Sequence, residues 1–188
     1  MRSTFAALWV RNYRLFAAGS LVSNTGTWMQ RVAQDWLILT LTGSAGALGI
    51  TTGLQFLPIV LLSPIAGVVA DRFPKRRVLV VSQVAMGVLA AVLGVLALTG
   101  LARPWHVYVL AFLFGTAAAV DTPARQAFVN EMVPRDRLQN AVGLNSVSFN
   151  IGRLLGPATA GVLIAWLGSG VTATGWVIML NAASYGAV

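Results

Sequence analysis

Six long apolar runs limit this chain more than any other feature. They fall at about residues 13–41, 48–70, 78–101, 105–125, 138–167 and 175–188, separated by short turns. A helix of about 20 residues crosses the roughly 30 Å of hydrocarbon in a bilayer. There it satisfies its own backbone hydrogen bonds, which water cannot reach. Five runs are long enough, while the sixth offers only about 14 residues before Val188. The expectation is an all-α, polytopic membrane bundle over residues 1–188 whose sixth helix is truncated, as in a fragment of a longer protein.

Composition agrees and removes several function classes. Hydrophobic residues make up 57% of the chain and charged residues 10%, against about 25% charged in soluble domains. The net charge of +8 does not imply nucleic acid, because the basic residues cluster at run ends and form no stripe with interleaved aromatics. With no cysteine and one histidine, His106, thiol chemistry and zinc sites are excluded. No P-loop, HExxH or carboxylate-rich metal motif is present. His106 sits beside a turn as an interfacial residue, without the serine partner an intramembrane protease needs. Neither an enzyme nor a cofactor is expected.

Charge also orients the bundle. If the spans alternate, Arg2, Arg11, Arg14, Arg72, Lys75, Arg76, Arg77, Arg125, Arg135 and Arg137 share one side, and Arg103 lies on the other. Loops rich in Lys and Arg stay cytoplasmic. This predicts a multi-pass protein of the cell membrane with a cytoplasmic N-terminus.

Two arginines fall inside runs. Arg31 lies slightly outward of the middle of the first span and Arg153 near the middle of the fifth. A guanidinium facing lipid there costs between about 3 and over 10 kcal/mol, so both should face a packed interior or a wet cavity. Asn24, Trp28, Arg31 and Asp35 follow one another at helical spacing, with Ser23, Thr27, Gln30 and Gln34 on the adjoining stripe. Ser146, Asn150, Arg153 and Pro157 repeat the pattern on the fifth span. Asn24, Trp28, Arg31, Asp35, Asn150 and Arg153 are therefore the candidate cavity residues. The alternative is structural: Arg31 and Asp35 pair at i,i+4 and knit the bundle together.

The turn at residues 67–77 joins the second and third runs, and its Asp71 needs a reason beyond orientation. Gly67, Asp71, Arg72, Arg76 and Arg77 match a loop motif, Gly-x-x-x-Asp-Arg-x-Gly-Arg-Arg, with Pro74 where most examples have glycine. In the fifth run Gly152, Gly156, Pro157 and Gly161 match Gly-x-x-x-Gly-Pro-x-x-x-Gly. Both motifs, at these places, resemble the major facilitator superfamily, specifically an efflux branch that includes the enterobactin exporter. Residues 24–30, 55–58, 121–126 and 140–142 resemble the same branch.

The resemblance implies an N-terminal six-helix half, with a second half outside these 188 residues. It implies a secondary active transporter that exports a small amphipathic or anionic molecule, siderophore-like or drug-like, by alternating access. Asp71 would brace a cytoplasmic gate, in a network with Arg72, Asp121 and Arg125, while Arg76 and Arg77 mainly fix topology. The arginine that many proton-linked exporters carry within the fourth span is missing; that run closes on Asp121 and Arg125 at its cytoplasmic end. A non-transporting or oligomerising scaffold is the alternative to transport. The expected partners are a small-molecule substrate, the lipid bilayer and the missing half.

Overall fold

The computed structural model describes residues 5–187, so Arg2 lies outside the described residues. Six helices follow in order: α1 Arg11–Thr42, α2 Ala45–Arg72, α3 Lys75–Leu98, α4 Pro104–Met132, α5 Leu138–Trp166 and α6 Val171–Ser184. Short 3-10 turns lie at Ala6–Trp9, Arg135–Arg137 and Tyr185–Ala187, and the described residues contain no strand.

Local chemistry sets the breaks. α1 ends where Gly43 adopts φ 63°, a left-handed conformation in which its N–H reaches the Leu39 carbonyl. The Ser44 hydroxyl accepts from the Ala47 N–H at 3.3 Å and starts α2. Pro74 and Pro134 each force the preceding residue, Phe73 or Val133, into extended backbone and so separate α2 from α3 and α4 from α5. At the head of α4 the backbone N–H of Arg103 donates to His106 Nδ1 at 3.0 Å. His106 is thus part of a helix cap.

Most boundaries fall within about three residues of the sequence expectation, and those of α4 and α6 depart further. α6 begins at Val171 rather than near 175, and α4 continues to Met132 instead of closing near 125. Pro123 lies inside α4 without ending it, as Pro58 and Pro64 do in α2 and Pro157 in α5. α2, α3, α4 and the segment 135–166 are long and apolar enough to cross a membrane. α1 is long enough at 32 residues but carries a polar stripe, and α6 has 14 residues. Large apolar side chains such as Val60, Val81, Leu154 and Val162 point outward, the inverse of a water-soluble surface.

The helices pair in a pattern that repeats. α1 packs on α5 and α6, α4 packs on α2 and α3, and α3 packs on α6. Exchanging the first three helices with the last three maps this set onto itself, so the bundle is two three-helix units with interlocked partners. Close approach depends on glycine at both equivalent crossings, α1 with α5 and α4 with α2. A Cβ on Gly156 of α5 would sit 2.7 Å from the Thr25 carbonyl oxygen and from Trp28 Cβ of α1, and one on Gly115 of α4 would sit 2.5 Å from the Gln55 carbonyl oxygen of α2. Gly152 faces Asn24 and Thr25 in the same crossing. Gly161 meets nothing within 4 Å, so the part of the motif that packs inside this bundle ends at Gly156.

Two apolar cores result. One holds Leu37, Ile38, Leu93, Val107, Val177 and Ile178; the other holds Tyr13, Leu79, Ala124, Val129 and Ala141. Along α1, α3 and α4 the gap between them is filled by buried polar residues.

Candidate functional site

That polar layer is centred on Asp121. Its Oδ1 accepts from Ser82 Oγ at 2.9 Å and Gln83 Nε2 at 2.7 Å, and its Oδ2 accepts from Arg125 Nε at 3.1 Å and Nη2 at 3.0 Å. Arg125 Nη1 donates to Ser20 Oγ at 2.7 Å, and Ser23 Oγ donates to Gln83 Oε1 at 3.2 Å. Three helices, α1, α3 and α4, are thereby tied at one level. Both charges are less than a tenth exposed, and such a pair holds only when hydrogen bonds replace the lost water. Here four donors fill the carboxylate and Ser20 takes a further guanidinium proton.

The pair forms part of the wall of a polar pocket of about 240 Å³ between α1, α4 and α5, with Asn24, Phe149 and Asn150 among its other walls. Residues that the sequence assigned to a cavity, Asn24 and Asn150, therefore meet residues it assigned to a gate, Asp121 and Arg125. Beside this pocket, Phe149 meets Trp28 edge-on with ring centroids 5.8 Å apart. Trp28 in turn holds two cations: the Arg31 guanidinium carbon lies 4.7 Å from its ring centroid and that of Arg153 lies 5.6 Å away. Phe56 of α2 covers Arg31 at 4.4 Å. Cation–π contact of this kind stabilises by about 0.5–2 kcal/mol and leaves the guanidinium edge available for an anion.

No ion pair joins Arg31 to Asp35, so the expected structural alternative of an i,i+4 pair is not what the bundle uses. Asp35 instead accepts from Gln55 Nε2 at 3.3 Å and Thr52 Oγ1 at 3.4 Å, both from α2. Arg31 Nε is buried with no hydrogen-bond partner. Arg153 is exposed on α5, and it too is in no ion pair.

A family model described as transmembrane secretion effector matches residues 2–188. The chain belongs to the major facilitator superfamily. It is 35% identical over 153 residues to the staphyloferrin A transporter of Staphylococcus aureus, which covers 81% of this chain and 38% of that protein. It is 34% identical over 159 residues to the multidrug efflux pump Tap of Mycolicibacterium fortuitum, which covers 82% of this chain and 38% of the relative. The macrolide efflux protein A of Streptococcus pyogenes is 26% identical over 155 residues, with the same coverage. The chain thus spans less than two fifths of the length of these relatives. By name these relatives are a transporter and two efflux proteins. The exchange of partners between the two three-helix units is the internal repeat known for this superfamily.

Within that frame the residues expected to form a gate fall into two groups. Asp71, Arg72, Arg76 and Arg77 are exposed and in no ion pair among the described residues, whereas Asp121 and Arg125 are buried and paired to each other. The expected four-residue gate network is therefore not assembled in this bundle. Gly67 has open space around it. What bridges α3 and α4 at that end is Lys75 to Glu131, at 3.4 Å. Because α4 runs on to Met132, Asp121 and Arg125 lie well inside the helix rather than at its end. Arg125 accordingly leaves the orientation count.

Sequence reasoning missed Ser20, Ser82 and Gln83. The adjoining stripe of Ser23, Thr27, Gln30 and Gln34, to which sequence reasoning assigned no role of its own, is turned inward. Thr27 Oγ1 hydrogen-bonds the Tyr185 hydroxyl at 2.8 Å, Asn181 Nδ2 donates to Gln30 Oε1, and Gln34 Nε2 donates to the Val107 carbonyl at 3.3 Å. A usable signal existed: adjacent Ser82 and Gln83 are the polar residues of the third run apart from Thr99 at its far end.

Proposed function

We propose that the chain is the N-terminal bundle of an exporter that moves a small organic anion with an aromatic or amphipathic body across the cell membrane by alternating access. The observation that supports this is the pair of guanidiniums on Trp28, Arg31 and Arg153, neither of them in an ion pair with a carboxylate. An anion entering there gains two charge-assisted contacts, and its apolar part lies against Trp28, Phe56 and Phe149. Asn24 and Asn150, with the polar pocket below, supply neutral donors and acceptors for other substrate groups. The names of the relatives, a siderophore transporter and drug efflux pumps, agree with such a substrate range.

In this reading residues 1–188 form one unit with six spans, and a second six-helix half supplies the opposite wall of the pathway. Asp71 and Arg72, free at the bundle edge, are placed to engage that half when the cytoplasmic side closes. The basic ends of α1, α2, α3 and α5 put the N-terminus in the cytoplasm.

The test is accumulation of carboxyfluorescein, an aromatic organic anion, in cells expressing the intact gene. Expression lowers accumulation, Arg153→Leu restores it, and the amount of protein in the membrane stays the same. Unchanged export by the Arg153→Leu variant contradicts the assignment.

A further inference from the structure

α2 and α3 are joined by a tight turn yet touch little along their lengths. The gap between them is a groove of about 750 Å³ with α4 as its floor. Phe73, Val78, Val81 and Val88 form its walls, Leu113 and Val120 line its floor, and no acidic residue lines it. Arg77 stands at one end. From Arg77 to Val88 the helix rises about 16 Å, the depth of one leaflet of a bilayer whose hydrocarbon is roughly 30 Å thick.

Charge at the Arg77 end is unbalanced. Lys75 is paired with Glu131, and Asp71 is the one other acid of the turn. Arg72, Arg76 and Arg77 remain exposed and in no ion pair among the described residues. Val81 and Val88 are each more than half exposed, on a face that water would not tolerate as an open slot.

We propose that this groove seats one acyl chain of an anionic phospholipid, with its phosphate held by Arg77. The apolar length of the slot fits a single chain in one leaflet, and a cation at the headgroup level with no neutralising acid selects negative charge. A zwitterionic lipid fills the same slot with weaker attraction, since each surface Lys or Arg adds about 1 kcal/mol toward anionic lipid, or about fivefold. The site is separate from the polar pocket and does not depend on the transport reading. Its α3 wall does touch the polar layer, because Ser82 borders the groove and donates to Asp121.

The chain contains no cysteine, so Val81→Cys gives a unique attachment point for a fluorophore. The labelled chain is reconstituted in phosphatidylcholine vesicles containing brominated phosphatidylglycerol or brominated phosphatidylcholine as quencher. Brominated phosphatidylglycerol should quench at about fivefold lower mole fraction. Arg77→Gln in the same background should bring the two curves together, while Arg77→Lys keeps them apart. A label at Val162→Cys, on the exposed face of α5, should show no preference. Equal quenching by the two lipids at position 81, or a preference that survives Arg77→Gln, overturns the proposal. So does oxidative cross-linking of Val81→Cys chains to one another in place of quenching, which assigns the groove to a second copy.

Discussion

Asp121 and Asp71 show how differently two carboxylates can serve one bundle. Asp121 accepts four hydrogen bonds in a buried layer, and its removal would leave the Arg125 guanidinium buried with no counter-charge. Asp121→Ala should therefore cost about 3–5 kcal/mol, read as a lowered midpoint of thermal unfolding in detergent. Asp71 has no such partners within the bundle. Asp71→Asn should leave that midpoint unchanged while abolishing export by the intact protein, and wild-type export by the variant would remove it from any gate. The sequence exposed Arg31 and Arg153 because a charge inside an apolar run stands out against its neighbours. It did not expose the Asp121 layer, because the partners sit on three helices and only the packing decides that Gln83 and Ser20 reach the same ion pair.

The helices themselves were largely legible, since run length, proline before a turn and helical spacing are local properties. Which face of each helix turns inward was not, because the polar stripes of α1 lie side by side and differ only in what packs against them. The stripe with Ser23 and Gln30 meets α3 and α6, whereas the one with Trp28 and Arg31 lies beside α5 and α2. Element-scale tests follow from the glycine crossings. Gly156→Val drives a branched side chain into the α1 backbone and should destabilise by about 1–3 kcal/mol. Gly161→Ala meets open space and should be neutral or stabilise by up to about 1 kcal/mol through helix propensity. Equal thermal midpoints for the two variants would contradict the placement of the α1 and α5 crossing.

At the scale of the whole bundle, interlocked three-helix units put basic residues at one end and leave Arg103 at the other. With no native cysteine, single replacements at Arg76 and Arg103 should react with a membrane-impermeant maleimide from opposite sides, Arg103→Cys from outside intact cells. Labelling of both from the same side would break the proposed topology. The apolar outer surface and the family likeness were readable from composition and motif, but the regrouping of cavity and gate candidates into one pocket needed the three-dimensional arrangement.

The central claim is that Arg31 and Arg153 around Trp28 form an anion site, and binding calorimetry tests it most directly. The purified chain is titrated with 2-naphthoate and with the neutral 2-naphthamide, which share a ring and differ in charge. The account predicts tighter binding of naphthoate, and loss of that difference in Arg153→Leu with helix content unchanged. Equal affinity of the wild-type chain for the two compounds would contradict it.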